Sequence, residues 1–301
     1  MKGRKNVGVL NNRIDPMFGL PVSRPTPQIK AKIYDLLEFV DQIRGRKFFK
    51  SAHAEGIELY VPGVNILEAI PDSLARKVAA LYIFSSTEQE EIDCKILGRF
   101  KSIKELRMGY LINVRNLLAL SHHKFLQVLD IESCIVENID LGEISNLKEL
   151  RLHGSSKVDI TKSLQNGLKA ISVHSGTAIL KQINATNDLD WLNVSNIRLL
   201  TEGDALPLFE CVKVVHLVAV KNIKDLQFIS SAKKLTHLYI ENCRKLSSLK
   251  GLEHCEELKA LDVVCCYQLK DINQIEKLNY LRDVSFLECP KIEKPVSSDV
   301  K

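Results

Sequence analysis

The residues with most chemistry to offer in this chain are histidines, one tryptophan and a set of carboxylates at regular intervals. Glu132, His153 and His174 follow one another 21 residues apart, and His216 and His237 repeat that interval with Tyr239 two residues on. Two imidazoles and a carboxylate in line suggest a metal, but groups in a straight row on a sheet do not converge tetrahedrally as zinc requires. Catalysis is no better served. The chain has no GxSxG elbow, no HExxH and no glycine-rich phosphate loop between a strand and a helix. Cys94 and Cys211 are candidate thiols, but neither has a basic partner identifiable from sequence. No enzyme, cofactor or metal is expected. What remains is recognition, because Trp191, Tyr82, Tyr239 and the histidines are the amphipathic side chains from which binding hot spots are built.

The elements that position these residues are read most clearly in Leu235 to Leu258, LTHLYIENCRKLSSLKGLEHCEEL. Leu235, Leu238 and Ile240 stand at positions 1, 4 and 6 of a unit, with Cys243 at position 9. Leu246, Leu249, Leu252 and Cys255 then fall every third residue until Leu258 opens the next unit. The first spacing suits a short strand with one buried face, and the second suits 3₁₀ turns. A unit that changes period halfway and restarts is a solenoid coil. Aligned units start at Ala54, Val78, Ile103, Leu126, Leu147, Leu168, Leu189, Val212, Leu235, Leu258 and Leu281, separated by 21 to 25 residues.

These units resemble the leucine-rich repeat family, whose strand motif is LxxLxLxx followed by Asn or Cys. Cys134, Cys243, Cys266 and Cys289 match position 9, whereas Gly176, Ile197 and Val220 depart from it. The period is closest to the internalin-like and phosphatase-regulator-like classes. The resemblance implies an α/β repeat solenoid of about 10–11 repeats over 54–301: a horseshoe with a parallel concave β-sheet and an irregular, 3₁₀-rich convex side. Ahead of it, residues 1–53 divide into a proline-rich basic arm and an amphipathic helix. That helix, carried by Ile29, Ile33, Leu36, Leu37, Val40 and Ile43, would cap the open end of the core. A short C-terminal cap over the last coil is expected from CPKIEKPV.

In such a coil positions 3, 5, 7 and 8 stand on the concave surface, and equal positions in successive strands form rows about 4.8 Å apart. Row 3 then carries Glu105, Glu149, Trp191, His237 and Asp283; row 5 carries Tyr82, Arg107, Asp130, Arg151, His216, Tyr239 and Asp262; row 7 carries Glu132, His153, His174 and Glu241. With Glu58 and Glu288 the face holds nine acidic residues against two basic ones, on a chain whose net charge is +5. Position 2, at the strand edge, is by contrast Lys104, Lys148, Lys169, Lys213, Lys259 and Arg282. An acidic groove steers in a cationic partner and rejects phosphate backbones.

The functional expectation is a non-enzymatic, monomeric, cytoplasmic module that binds a basic protein partner in its concave face, as an inhibitor or immunity protein of a toxin. Two alternatives stay open. One is an adaptor or regulatory subunit of a cellular enzyme. The other is a nucleic-acid or anionic-surface binder acting through the basic edge and the arm residues Lys2, Arg4, Lys5, Arg13 and Arg24. No apolar run approaches a membrane span, and no secretory signal opens the chain.

Overall fold

The computed structural model describes residues 57–84, 90–109, 112–132, 139–153, 158–175, 178–183, 188–198 and 209–292. Within them the strand half of every coil joins one eleven-stranded sheet in chain order. Its strands are β1 (Ile57–Pro62), β2 (Val78–Phe84), β3 (Glu105–Met108), β4 (Val128–Ile131), β5 (Glu149–His153) and β6 (Ala170–His174). They continue as β7 (Trp191–Ser195), β8 (Val214–Val218), β9 (His237–Glu241), β10 (Ala260–Val264) and β11 (Asp283–Leu287). All neighbours are parallel. The α/β solenoid with a parallel sheet, which the leucine-rich-repeat resemblance implies, is the observed architecture.

The apolar positions explain it. Leu81, Leu106, Leu129, Leu150, Ile171, Leu192, Val215, Leu238 and Leu261 stack as one buried row, and the position-1 and position-6 side chains form rows beside it. On the convex side Leu246, Leu249, Leu252 and Cys255 are fully buried, and the chain there runs in short 3₁₀ segments such as Leu252–His254 and Asn273–Lys277. Asp93, Asp140, Asp159 and Asp225 each open a convex turn by accepting a hydrogen bond from the backbone N–H two residues on, at 2.8 to 3.1 Å. Aspartate does this because its short side chain mimics a backbone turn.

Position 8 has its own periodicity, visible in conformation more than in residue type. Ser175, Asn196, Ala219, Asn242, Cys265 and Glu288 all lie in the left-handed region with φ between 51° and 60°. The bend ends each strand while its N–H still reaches the next coil, as in Asn196 N to Val218 O at 2.8 Å. Position 9 then turns inward. Cys243 donates its S–H to the carbonyls of Leu217 and Glu241 at 3.7 and 3.6 Å, and Cys289 does the same to Val263 and Leu287. Ile197 and Val220 fill this position by burial alone. One glycine is obligatory. Gly251 has φ +104°, and a Cβ there would meet the Leu226 carbonyl oxygen at 2.4 Å.

The first unit corrects the sequence register. Glu58 pairs with Ala80 and Tyr60 with Tyr82, so Glu58 stands in row 3 and Tyr60 in row 5, two residues later than a start at Ala54 implies. A slip of two keeps every side chain on its face, so alternation alone cannot detect it. The core-facing residues are accordingly Leu59 and Val61. Arg99 ties this end together. Its guanidinium donates to the carbonyls of Leu67, Glu68 and Ile70 and pairs with Asp72 at 2.5 Å. The arm and helix over 1–53, Cys134, Gly176 and the end of the expected C-terminal cap lie outside the described residues. Of that cap only Cys289–Ile292 is described, with Ile292 packed against the core. No helix among the described residues is long and apolar enough to cross a membrane.

Candidate protein-binding face

The register reproduces the rows. Row 5 runs Tyr82, Arg107, Asp130, Arg151, Ser172, Asn193, His216, Tyr239, Asp262 and Ser285. Along it the face divides into parts of very different character.

Over β2–β5 the charges are spent on one another. Glu105 Oε1 accepts from Arg107 Nε at 2.6 Å and from Tyr82 OH at 3.2 Å, and the Arg107 guanidinium lies 5.2 Å from the centre of the Tyr82 ring. Asp130 stands between two arginines, 3.9 Å from Arg107 Nε and 3.5 Å from Arg151 Nη1. Arg151 Nε in turn donates to Glu149 Oε1 at 2.5 Å. All six of these side chains are buried, from 1% exposure for Glu105 and Asp130 to 8% for Glu149. Burial works against the Arg107 charge, yet Glu105, Tyr82 and Asp130 together hold its pKa above the usual arginine value. Burial pushes Glu149 up to about 7, against the pull of Arg151. The open acidic groove expected here is corrected: three acids and two arginines form a closed network with little net charge.

The source of this network is in the sequence, in a signal the row count overlooked. Lys104-Glu105-Leu106-Arg107 and Lys148-Glu149-Leu150-Arg151 are the same tetrapeptide. Residues i and i+2 of a strand share a face, so each unit presents a glutamate beside an arginine, with Asp130 on the strand between.

In the middle of the sheet His153 and His174 stack, with ring centres 4.1 Å apart and planes 11° from parallel. His174 Nδ1 lies 3.0 Å from Ser195 Oγ, and its Nε2 lies 3.3 Å from Asn196 Nδ2. Rings lying face to face direct their lone pairs in parallel planes, away from a common ion. No group of His, Cys, Asp or Glu among the described residues suits a metal. Glu132 is half-buried beside this stack in row 7.

Trp191 is 2% exposed and packs with Val214 and Ala170, so the expectation of a projecting anchor is corrected. Trp191 instead begins a ring series. Its indole meets His216 edge-on at 5.4 Å, and His216 meets Tyr239 at 5.2 Å.

Over β9–β11 the rows are open. His237, Asp262, Asp283, Ser285, Leu287 and Glu288 are exposed, and Tyr239 and Glu241 are half-buried. Tyr239 OH donates to Glu241 Oε2 at 2.7 Å; Glu288 Oε2 accepts from Tyr267 OH at 3.1 Å and from the Cys265 thiol at 3.2 Å. No arginine or lysine stands in rows 3, 5 or 7 of these strands. Burial, then the neighbouring Asp283, raises the Asp262 pKa, and His237 opposes them. Burial and Lys259 lower the His237 pKa, while Asp283 and Asp262 work the other way.

The basic edge is partly neutralised too. Lys169 pairs with Asp188, and Lys213 Nζ stands 2.6 Å from Asp190 Oδ1. The candidate thiol Cys211 is buried, and burial pushes its pKa up, away from thiolate; Cys94 is fully buried.

No family model matches the chain. A Trypanosoma equiperdum protein named "Putative adenylate cyclase regulatory protein" is 27% identical over 185 residues, 62% of this chain. The chain spans about a quarter of that protein, 27% of its length. Among solved structures, the Listeria monocytogenes internalin InlF is similar at a TM-score of 0.46 and 16% identity, over 71% of this chain and 62% of that one. Internalin C2 of the same organism is similar at 0.40 and 13% identity, over 72% and 84%. Its eleven parallel strands, stacked leucine rows and inward-turning position-9 cysteines give the chain the architecture of a leucine-rich-repeat solenoid.

Proposed function

We propose that the chain is a non-enzymatic protein-binding module whose contact surface is the concave face, and that its partner presents a basic surface to strands β9–β11. The carrying observation is the coincidence on those strands of exposed carboxylates, a half-buried tyrosine and an exposed Leu287 with no arginine or lysine in the three concave rows. Large rings with a polar tip and apolar side chains supply contact area, and unneutralised acids supply steering and selectivity. A monomer of this kind acts by occlusion, as an inhibitor or immunity protein covering a cationic toxin does. A regulatory-subunit reading is favoured by one observation, the name of the trypanosomal relative. Both readings use the same face. Nucleic acid suits it less, because acidic rows repel phosphates and two of the edge lysines are already paired.

The test is binding of a purified candidate partner to Asp262→Lys/Asp283→Lys and to Tyr239→Ala. Loss of binding with the fold retained is expected. Undiminished binding by both variants removes the concave face as the site. Reversal of Asp130 or Glu149 is a poor probe, because those side chains belong to the buried network.

A further inference from the structure

We propose that the open part of the face is a receptor for an arginine side chain of the partner, seated between Asp262 and Asp283 against the ring of Tyr239. This deepens the protein-docking reading above and rests on it. The argument is an internal comparison, because the closed part of the same sheet contains the finished version of the arrangement. There, Tyr82, Arg107 and Asp130 are consecutive in row 5, and Glu105 stands in row 3 beside them. The guanidinium covers the ring, and its Nε is held by Glu105 and faces Asp130. In the open part Tyr239, Asp262 and Ser285 are consecutive in row 5, and Asp283 stands in row 3 one strand on. Tyr239 OH donates to Glu241 in row 7 of its own strand, whereas Tyr82 OH donates to Glu105 in row 3 of the next. The ring and the carboxylates are therefore both present; Asp262 stands at the register position that Arg107 fills in the closed part, and no arginine or lysine stands in these rows over β9–β11.

Asp262 and Asp283 accept no hydrogen bond and form no ion pair with any described residue. Two carboxylates one strand and two residues apart repel each other, and the Asp262 pKa is raised by partial desolvation first and by this repulsion second. Of the neighbouring cations, His237 is held toward its neutral form and Lys259 sits at the strand edge. A planar guanidinium fits such a gap better than an ammonium, because its fork bridges two carboxylates while its face stacks on an aromatic ring. A phosphate-bearing partner is repelled by the same groups.

The test uses the full chain and a blocked Gly-Arg-Gly-Arg-Gly peptide, with its lysine and citrulline counterparts, followed by NMR shift titration at low ionic strength. The expected result is perturbation confined to β9–β11, stronger for arginine than lysine and absent for citrulline. Asp262→Asn/Asp283→Asn should weaken binding on the order of tenfold. Ser285→Arg places a guanidinium beside Asp262 from within; it should block the peptide equally and bring the Asp262 pKa down. Asp188→Asn/Asp190→Asn, at the edge pairs, should change nothing. Shifts spread over all acidic regions, equal binding of citrulline, or indifference to the Asp262/Asp283 pair would overturn the arginine receptor while leaving docking on the face intact. Arginine binding that follows these rules, beside a protein partner indifferent to the same variants, upholds the receptor and removes the docking reading instead.

Discussion

Strands β3–β5 and β9–β11 are built from the same repeat and face the same way, yet one stretch has consumed its charges and the other has left them open. In the first, each acid in rows 3 and 5 has an arginine within 4 Å, and the group is buried as a unit. In the second, the same rows hold carboxylates and a tyrosine with no arginine. Charge on the concave face is thus a property of pairs within and across strands, and counting acids against bases along the chain misplaces it. The first stretch is framework, and the second is surface.

The largest effect should come from breaking the framework. Arg151→Ala leaves Asp130 and Glu149 buried without a principal partner, and a loss of roughly 3–5 kcal/mol in urea unfolding is expected. A loss below 1 kcal/mol would mean that the network is as dispensable as a surface pair.

Next is pH. Glu149 has its folded pKa raised to about 7, above the ordinary value of 4.5, so the folded state binds this proton more tightly. Its contribution therefore favours folding at low pH and is lost as pH rises from about 4.5 to 7, by on the order of 1–3 kcal/mol. Glu149→Gln should flatten that slope in pH-dependent thermal unfolding, whereas Asp283→Asn should leave it in place.

A third comparison pairs the two tyrosines. Tyr82→Phe leaves a buried acceptor short of one bond and should cost about 1 kcal/mol; Tyr239→Phe, at a half-buried pair, should cost about half of that. Equal losses would erase the distinction between closed and open halves. The smallest effect is expected at Asp262→Asn. Removing a carboxylate that repels its neighbour should change stability by no more than about 0.5 kcal/mol, and upward, as read by chemical denaturation.

Much of this was legible beforehand. The 1-4-6 leucines placed every strand from Val78 onward in its observed register, because a buried row tolerates no slip of one residue. The first unit was misread by two, since Leu59 and Val61 satisfy the alternation as well as Ile57 and Leu59 do. The left-handed position 8 leaves no mark in residue type, because its signal is backbone geometry, carried by Ser, Asn, Ala, Cys and Glu alike. At the face, the row membership of Asp130, Glu149 and Trp191 was readable, but their burial was not.

The sequence by itself determined the solenoid, its period and which side chains share a row, because hydrophobic spacing acts locally and repeats. Only the tertiary structure decided what those rows mean. Whether Asp130 faces a partner or an arginine depends on which strand lies alongside and how deeply the pair is covered. Both are set by neighbours more than twenty residues away, and a residue's identity carries no record of them.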